Sequence, residues 1–548
     1  MPYPYVIRYV FLAAGALATY FTVVGFDFAF DDFIHVTGSS DVRTLAGGLS
    51  SFTHPLHPGN LYRPLTTLSY ALTYKLFGLS PVPYHVTNLL LHITVVLLFF
   101  GLLSQFKFAV HFAFPAALLF ALNPIHSEVV CNISARSESL AALFGLVAIG
   151  IALQERTSKG SVVLYSIALL LAFLSKESAL AFGFIVPLII LWSRKDERKL
   201  RLLSGATLVS LVLYLSLRFV ALGGSLRGSV SIDPLDNPLV ILSGGLRFVN
   251  AIKLLGDYAL TTIFPFPLQY DYSAPVTKSL SLSQVFAAPT FYLACTLLFL
   301  FAYGIFKKKS YAYFLGWFFA HFLIAGNLLF PVGTAFALRL LYVPSIGLLA
   351  LLSYVACRHV PLGALLSTGL AVAYGALTFF QVPVWANNTS LFTYEARQEV
   401  VAAKSYFNLA MTLRNKRESV QAKSILIQLI ADHPQMADSY YGLGLLSLDE
   451  EKNTEAFEWF KKTLHQNPDY VRALVATARI LMGQKEFAEA EVRIQKALML
   501  SPRDFEARTL FVAILLSKGN TAAATSLVDE LLLEAPTNPM LLKLRLIL

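Results

Sequence analysis

Apolar runs of about 15–25 residues recur between positions 9 and 382, each closed by a short polar or basic segment. A run of that length approaches what a helix needs to cross a bilayer. The pattern predicts spans near 9–25, 84–104, 109–123, 130–153, 161–175, 178–193, 202–222, 288–306, 311–330, 340–357 and 361–382, about eleven in all. The stretch 246–265 is also apolar enough to count. Counting it would move Lys307–Lys309 to the other side of the membrane, so it is read as an interfacial or re-entrant helix.

Beyond residue 400 the pattern changes to a repeat. Prolines fall at 434, 468, 502 and 536, and alanines at 422, 456, 490 and 524, each 34 positions apart. Ala410, Gly444 and Ala478 mark the close-packing point of each first helix, where the fourth unit has Val512. A 34-residue helix–turn–helix period of this kind is the tetratricopeptide signature. Repeats are expected near 403–436, 437–470, 471–504 and 505–538, closed by a helix in "MLLKLRLIL". The domains expected are therefore 1–395 in the membrane and 396–548 as an α-solenoid.

Composition sharpens this all-α picture. Of the 548 residues, 56% are hydrophobic and 14% charged, against about 45–50% and about 25% in soluble domains. Mean hydropathy is +0.62. The net charge of +10 is concentrated in short inter-helix segments such as "SRKDERKLR" from Ser193, Lys307–Lys309, and Arg156 with Lys159. That distribution encodes topology and argues against a nucleic-acid partner. With the basic loops inside, the N-terminus is inside. An odd number of crossings then puts the loops 26–83 and 223–287 and the repeats on the outer side. Cys131, Cys295 and Cys357 are far apart and form neither a disulfide framework nor a zinc spacing. The first apolar segment lacks a small-residue cleavage site before Asp27 and is read as an uncleaved helix.

Candidate chemistry begins in "FDFAFDDFIHV", where the first apolar run ends. Asp31 and Asp32, flanked by Phe28, Phe30 and Phe33, are either solvated loop acids or a general base whose pKa is raised by desolvation. Cations and polar groups at predicted outer helix ends are Arg63, His85, His92, His126 with Glu128, Arg136, Lys176 with Glu177, and Arg339. Any one of them could be a structural ion pair or a snorkelling side chain. Together they would suit a phosphate leaving group opposite a carboxylate.

These segments resemble a known family. "YRPLTTLSYALTYKLFGLSPVPYHVTNLLLH", "LLFALNPIHSEVV", "ARSESLAALF", "LAFLSKESALAF", "LRLLYVPSIGLL" and the junction "VPVWANNTSLF" are similar to the transmembrane-and-tetratricopeptide-repeat O-mannosyltransferases and their bacterial relatives, of the GT-C class. The resemblance implies a GT-C-type helical bundle. It also implies transfer of a sugar, mannose in that family, from a polyprenyl-phosphate donor to Ser or Thr hydroxyls of exported proteins. Asp31 and Asp32 match the family's paired acid, and Asp31 is the expected base. Arg63, His85, His126, Glu128, Arg136, Lys176 and Arg339 are the expected donor-binding set. Asn123 stands where the family usually has histidine, and Ala337 and Leu338 precede Arg339 where an acid is usual, so a local ion pair is missing. The scheme needs no cofactor and no metal. A non-catalytic membrane-anchored scaffold, or a transferase acting on a glycan, are the competing readings. Four repeats favour a bacterial inner membrane with periplasmic repeats over an endoplasmic-reticulum membrane with lumenal ones.

Overall fold

The computed structural model describes residues 3–55, 61–106, 111–193, 197–226, 232–502, 504–534 and 538–548. It is helical throughout, with no extended strand among the described residues, and divides into two compact units, Met1–Tyr394 and Glu395–Leu548. Arg194, Lys195 and Asp196 of the basic loop, part of the 26–83 loop and Pro536 of the repeat pattern lie outside the described residues.

Among the described residues, seven helices of the first unit are long and apolar enough to cross a membrane, including Val6–Gly25, Pro81–Leu103, Ile133–Leu153 and Leu338–His359. Between the second and third, Ala113–Leu122 and Pro124–Cys131 form a pair bent by 50°, so the chain turns where the expected span 109–123 ends. Pro124 starts a new turn there, and Asn123 caps it through Ile125 N. Lys159–Ser175, Glu177–Ile189 and Tyr311–Ala325 are shorter apolar helices. The first two are separated at Lys176, whose backbone is extended (φ −161°, ψ 143°). The stretch read as interfacial forms the helix Gly244–Ile263, in which Lys253 and Asp257 pair at 2.7 Å.

Burial separates inner from outer helices. Ile133–Leu153 is mostly buried within the protein, whereas Pro289–Phe306 is mostly exposed. The inner helix Arg136–Leu153 packs on Pro81–Leu103 and Lys159–Ser175, around Phe99, Phe120, Leu146 and Phe173. Outer helices show apolar residues such as Phe219, Phe299 and Phe380, as a lipid-facing surface requires. Small residues permit close approach. A Cβ on Gly347 would lie 2.3 Å from the Phe314 carbonyl of the neighbouring helix. With helix-length apolar segments and an apolar exterior, the chain is an integral membrane protein.

The second unit comprises helix pairs Ala403–Asn415 with Ser419–Asp432, Ala437–Asp449 with Asn453–Gln466, Val471–Gly483 with Phe487–Leu500, and Phe505–Ser517 with Thr521–Glu534, followed by Pro539–Ile547. The alanines at 422, 456, 490 and 524 are fully buried, as are Ala410, Ala478 and Val512. The turn within each pair carries a positive φ at the same register: Arg417, Glu451, Lys485 and Gly519.

Candidate functional site

The first helix tightens into a short 3-10 segment, Phe21–Gly25, and the backbone then becomes extended at Phe26. From there the acid loop is held at several points. Asp27 N donates to Ala386 O at 3.0 Å, and the Asp27 carbonyl lies 3.3 Å from His85 Nε2. Phe30 has φ +52°, a left-handed conformation costly for a bulky residue, of order 1–3 kcal/mol. Its N–H donates to Asn388 Oδ1 at 2.7 Å, and its ring packs edge-on against Phe392. The chain then enters a single π-turn, Phe33–Thr37, a feature frequent at functional sites.

The two acids are not equivalent. Asp32 is fully buried. Its Oδ1 accepts from Ser134 N at 2.7 Å and its Oδ2 from Ala29 N at 3.2 Å. It therefore clamps the acid loop to the turn before the helix Arg136–Leu153. Burial pushes its carboxyl up to about 7, with Asp31 adding in the same direction and the backbone donors opposing. Asp31 is half-buried and its charge acts on Arg339. His35 follows one helical turn after Asp31, its N–H donating to Asp31 O at 2.9 Å. Burial, then the neighbouring Arg63 and Arg339, push its imidazole down to about 4, so it is neutral at neutral pH. Its Nδ1 has no hydrogen-bond partner among the described residues.

Arg339 sits in the 3-10 turn Leu338–Leu341. Its guanidinium meets Glu128 Oε1 at 2.6 Å, and its backbone N–H meets Oε2 at 2.8 Å. The acid missing next to Arg339 in the chain is thus supplied in space by Glu128. Arg63 pairs with Glu177 at 3.1 Å, and Glu177 also reaches Arg218 at 3.4 Å. Lys176 is buried and ion-paired to Glu138, yet it lies in the fields of Arg63 and Arg339. Asp31, His35, Arg63, Lys176, Glu138 and Arg339 therefore share one neighbourhood, as do the partners Glu128, Glu177 and Arg218. Leu340, Val343 and Pro344 with Glu138, Ser178 and His321 line a narrow cleft.

Three residues of the expected donor-binding set are elsewhere engaged. Arg136 is fully buried. Its guanidinium donates to Asn88 Oδ1, Ser69, Thr73 Oγ1 and the Tyr84 carbonyl, and lies 4.7 Å from the Tyr70 ring centroid. His126 is buried between Phe120 O at 2.8 Å and Ser345 Oγ at 3.0 Å, in an aromatic cluster with His92, Phe120 and Tyr342. His85 is fully buried against Phe26. Arg136 and His126 join helices, whereas His85 braces the acid loop through the Asp27 carbonyl and the Phe26 ring. Conversely, Glu138, Arg218 and Asn388 were not singled out from the sequence. Glu138 lies within the "ARSESLAALF" segment. Its pairing with Lys176 and that of Arg218 with Glu177 span 38 and 41 positions, and no spacing rule reports contacts of that kind.

A bundle of membrane-length helices with acids and arginines gathered at helix ends, joined to a helical-repeat array, is a polytopic membrane protein of all-α class carrying tetratricopeptide repeats. Residues 407–471 and 481–546 each match a tetratricopeptide-repeat family model. The chain is similar to a protein O-mannosyl-transferase of Caenorhabditis elegans, 28% identical over 73% of this chain and 59% of the relative. It is similar to protein O-mannosyl-transferase TMTC3 of Homo sapiens, 26% identical over 76% of this chain and 50% of the relative, so it spans roughly half to three-fifths of these curated relatives. Among solved structures, ArnT from Cupriavidus metallidurans bound to undecaprenyl phosphate aligns with 96% of this chain and 80% of its own, at 15% identity and TM-score 0.36.

Proposed function

We propose that the protein is a membrane glycosyltransferase that moves a sugar, mannose by analogy with its relatives, from a polyprenyl-phosphate donor to Ser or Thr hydroxyls of exported proteins. The observation that carries this reading is the division of labour between the paired acids. Asp32 is committed to backbone N–H groups, whereas Asp31 is half-buried and close enough for its charge to act on Arg339.

In this scheme the donor's isoprenoid chain lies in the bilayer and its phosphate sits at the outer helix ends. Asp31 removes the proton from the acceptor hydroxyl as that oxygen bonds to the anomeric carbon. The bond between that carbon and the phosphate oxygen breaks with its electron pair passing to the phosphate. One in-line displacement inverts the anomeric centre. Arg63 and Arg339, half-buried and already oriented by Glu177 and Glu128, neutralise the departing phosphate, with Arg218 sharing Glu177. Orienting such donors before reaction removes reorganisation from the barrier. Lys176, tied to Glu138, sets the local field without touching phosphate. The repeats, expected on the outer side of the membrane, bind the acceptor or a partner. A bacterial inner membrane with periplasmic repeats is the preferred setting.

The test is transfer in vitro from polyprenyl-phosphate mannose to a Ser/Thr-rich peptide by purified protein. Asp31→Asn should abolish transfer while membrane insertion and yield are unchanged. Full activity of that variant would remove the base from the scheme, and failure of the native protein with every polyprenyl-phosphate sugar would remove the reaction.

A further inference from the structure

We infer that Asn388 is a positioning residue for Asp31, acting through the backbone of Phe30; the inference rests on the assignment of Asp31 as base. Three observations converge. First, Phe30, immediately before Asp31, holds φ +52°, where a side chain with a Cβ is disfavoured and an aromatic one is an outlier. Second, the N–H of that same residue is bound at 2.7 Å by Asn388 Oδ1, 358 positions away. Third, the neighbouring residues of the junction segment brace the same loop: Ala386 O accepts from Asp27 N, and Phe392, buried, packs on the Phe30 ring.

The backbone direction at Phe30 decides where the next side chain points. Asp32 is fixed independently by Ser134 and Ala29, so a relaxation of Phe30 to negative φ must be absorbed at Asp31. A general base displaced by an ångström loses much of its rate while the donor site is untouched. Asn388 accordingly governs turnover and leaves donor affinity alone. The segment that supplies it precedes the repeats directly in the chain.

The experiment compares Asn388→Ala, Asn388→Asp and the double variant F30G/N388A with the native protein in the transfer assay, with Asp31→Asn alongside. Aspartate keeps an oxygen that can accept from Phe30 N, and glycine adopts positive φ freely. Asn388→Ala should lower kcat about 10- to 100-fold with donor KM within about twofold. Asn388→Asp should stay within about threefold of native, and F30G/N388A should recover at least about fivefold of the loss. If the alanine variant does not accumulate, Asn388→Ser, whose hydroxyl falls short of Phe30 N, carries the same comparison. Native kcat in Asn388→Ala with an inactive Asp31→Asn overturns this inference alone. So does a loss shared by Asn388→Asp or left unrecovered by F30G/N388A. Full activity in Asp31→Asn overturns the base assignment beneath it.

Discussion

Glu128 and Arg339 stand 211 positions apart in the chain and meet at 2.6 Å, with the second Glu128 oxygen on the Arg339 backbone N–H. Glu128 is fully buried, whereas the Arg339 side chain keeps 28% of its surface. The pair thus has one end sunk in protein and one open toward the acid loop. Glu128→Gln keeps an oxygen for the backbone but removes the charge. It should lower stability by about 1–3 kcal/mol, read as a drop in the thermal unfolding midpoint in detergent, and transfer should fall with it. An unchanged midpoint would show the pair to be incidental.

In the proposed scheme Arg63 serves the donor, whereas Arg136 is held inside the helices. Arg136→Lys loses the planar fork that serves Asn88, Ser69 and Tyr84, and should cost about 3 kcal/mol or more, with little folded protein recovered. Arg63→Lys, partly exposed, should fold normally and raise donor KM about 3- to 10-fold. Normal folding of Arg136→Lys would contradict its internal role.

The buried acid predicts a pH effect on stability. Asp32 ionises near 3.8 when unexposed to the fold and at about 7 when buried. Between those values the native state holds a proton that the unfolded chain has lost. Its contribution to stability is therefore full below about 4 and is lost as pH rises through about 7. His35, depressed to about 4, acts with the opposite sign between about 4 and 6.5 and cancels when variants are compared. Asp32→Asn removes the Asp32 component, so its unfolding midpoint should gain on the native protein as pH is raised from 4.5 to 7.5. A constant difference would mean that Asp32 ionises normally.

Asp31→Asn and Asp32→Asn should fail for different reasons. The first should lower kcat about 10²–10⁴-fold with a normal unfolding midpoint. The second should lower the unfolding midpoint at acidic pH, because the amide cannot accept from both Ala29 and Ser134. Equal kinetic losses with equal midpoints would erase the distinction between them.

Gly444 tests the repeat packing. A Cβ there would lie 2.4 Å from the ring of Phe460, itself fully buried. Gly444→Ala should destabilise the repeats by about 1–3 kcal/mol, outweighing a helix-propensity gain of about 1 kcal/mol. A raised midpoint for the repeat transition would reverse that sign.

Much of this organisation was legible in the residues themselves. Apolar runs dictate membrane helices because backbone groups in lipid must bond within their own segment. The 34-residue period dictates helix pairs because alanines at 422, 456, 490 and 524 are where helices touch. The acid pair was visible as charge placed beside phenylalanines. What periodicity could not reach is which charges meet. Glu128 with Arg339, Arg63 with Glu177, and Asn388 with Phe30 each close over 100–360 positions, and such contacts depend on the path of the whole chain. That path also buried Arg136, His85 and His126 and left the charge of Asp31 acting on Arg339. Local sequence sets which residues are helical and which are apolar. The tertiary structure determines which polar groups are spent on the protein's own backbone and which stay partly exposed, because a buried charge needs partners that only the packing of distant segments brings to it.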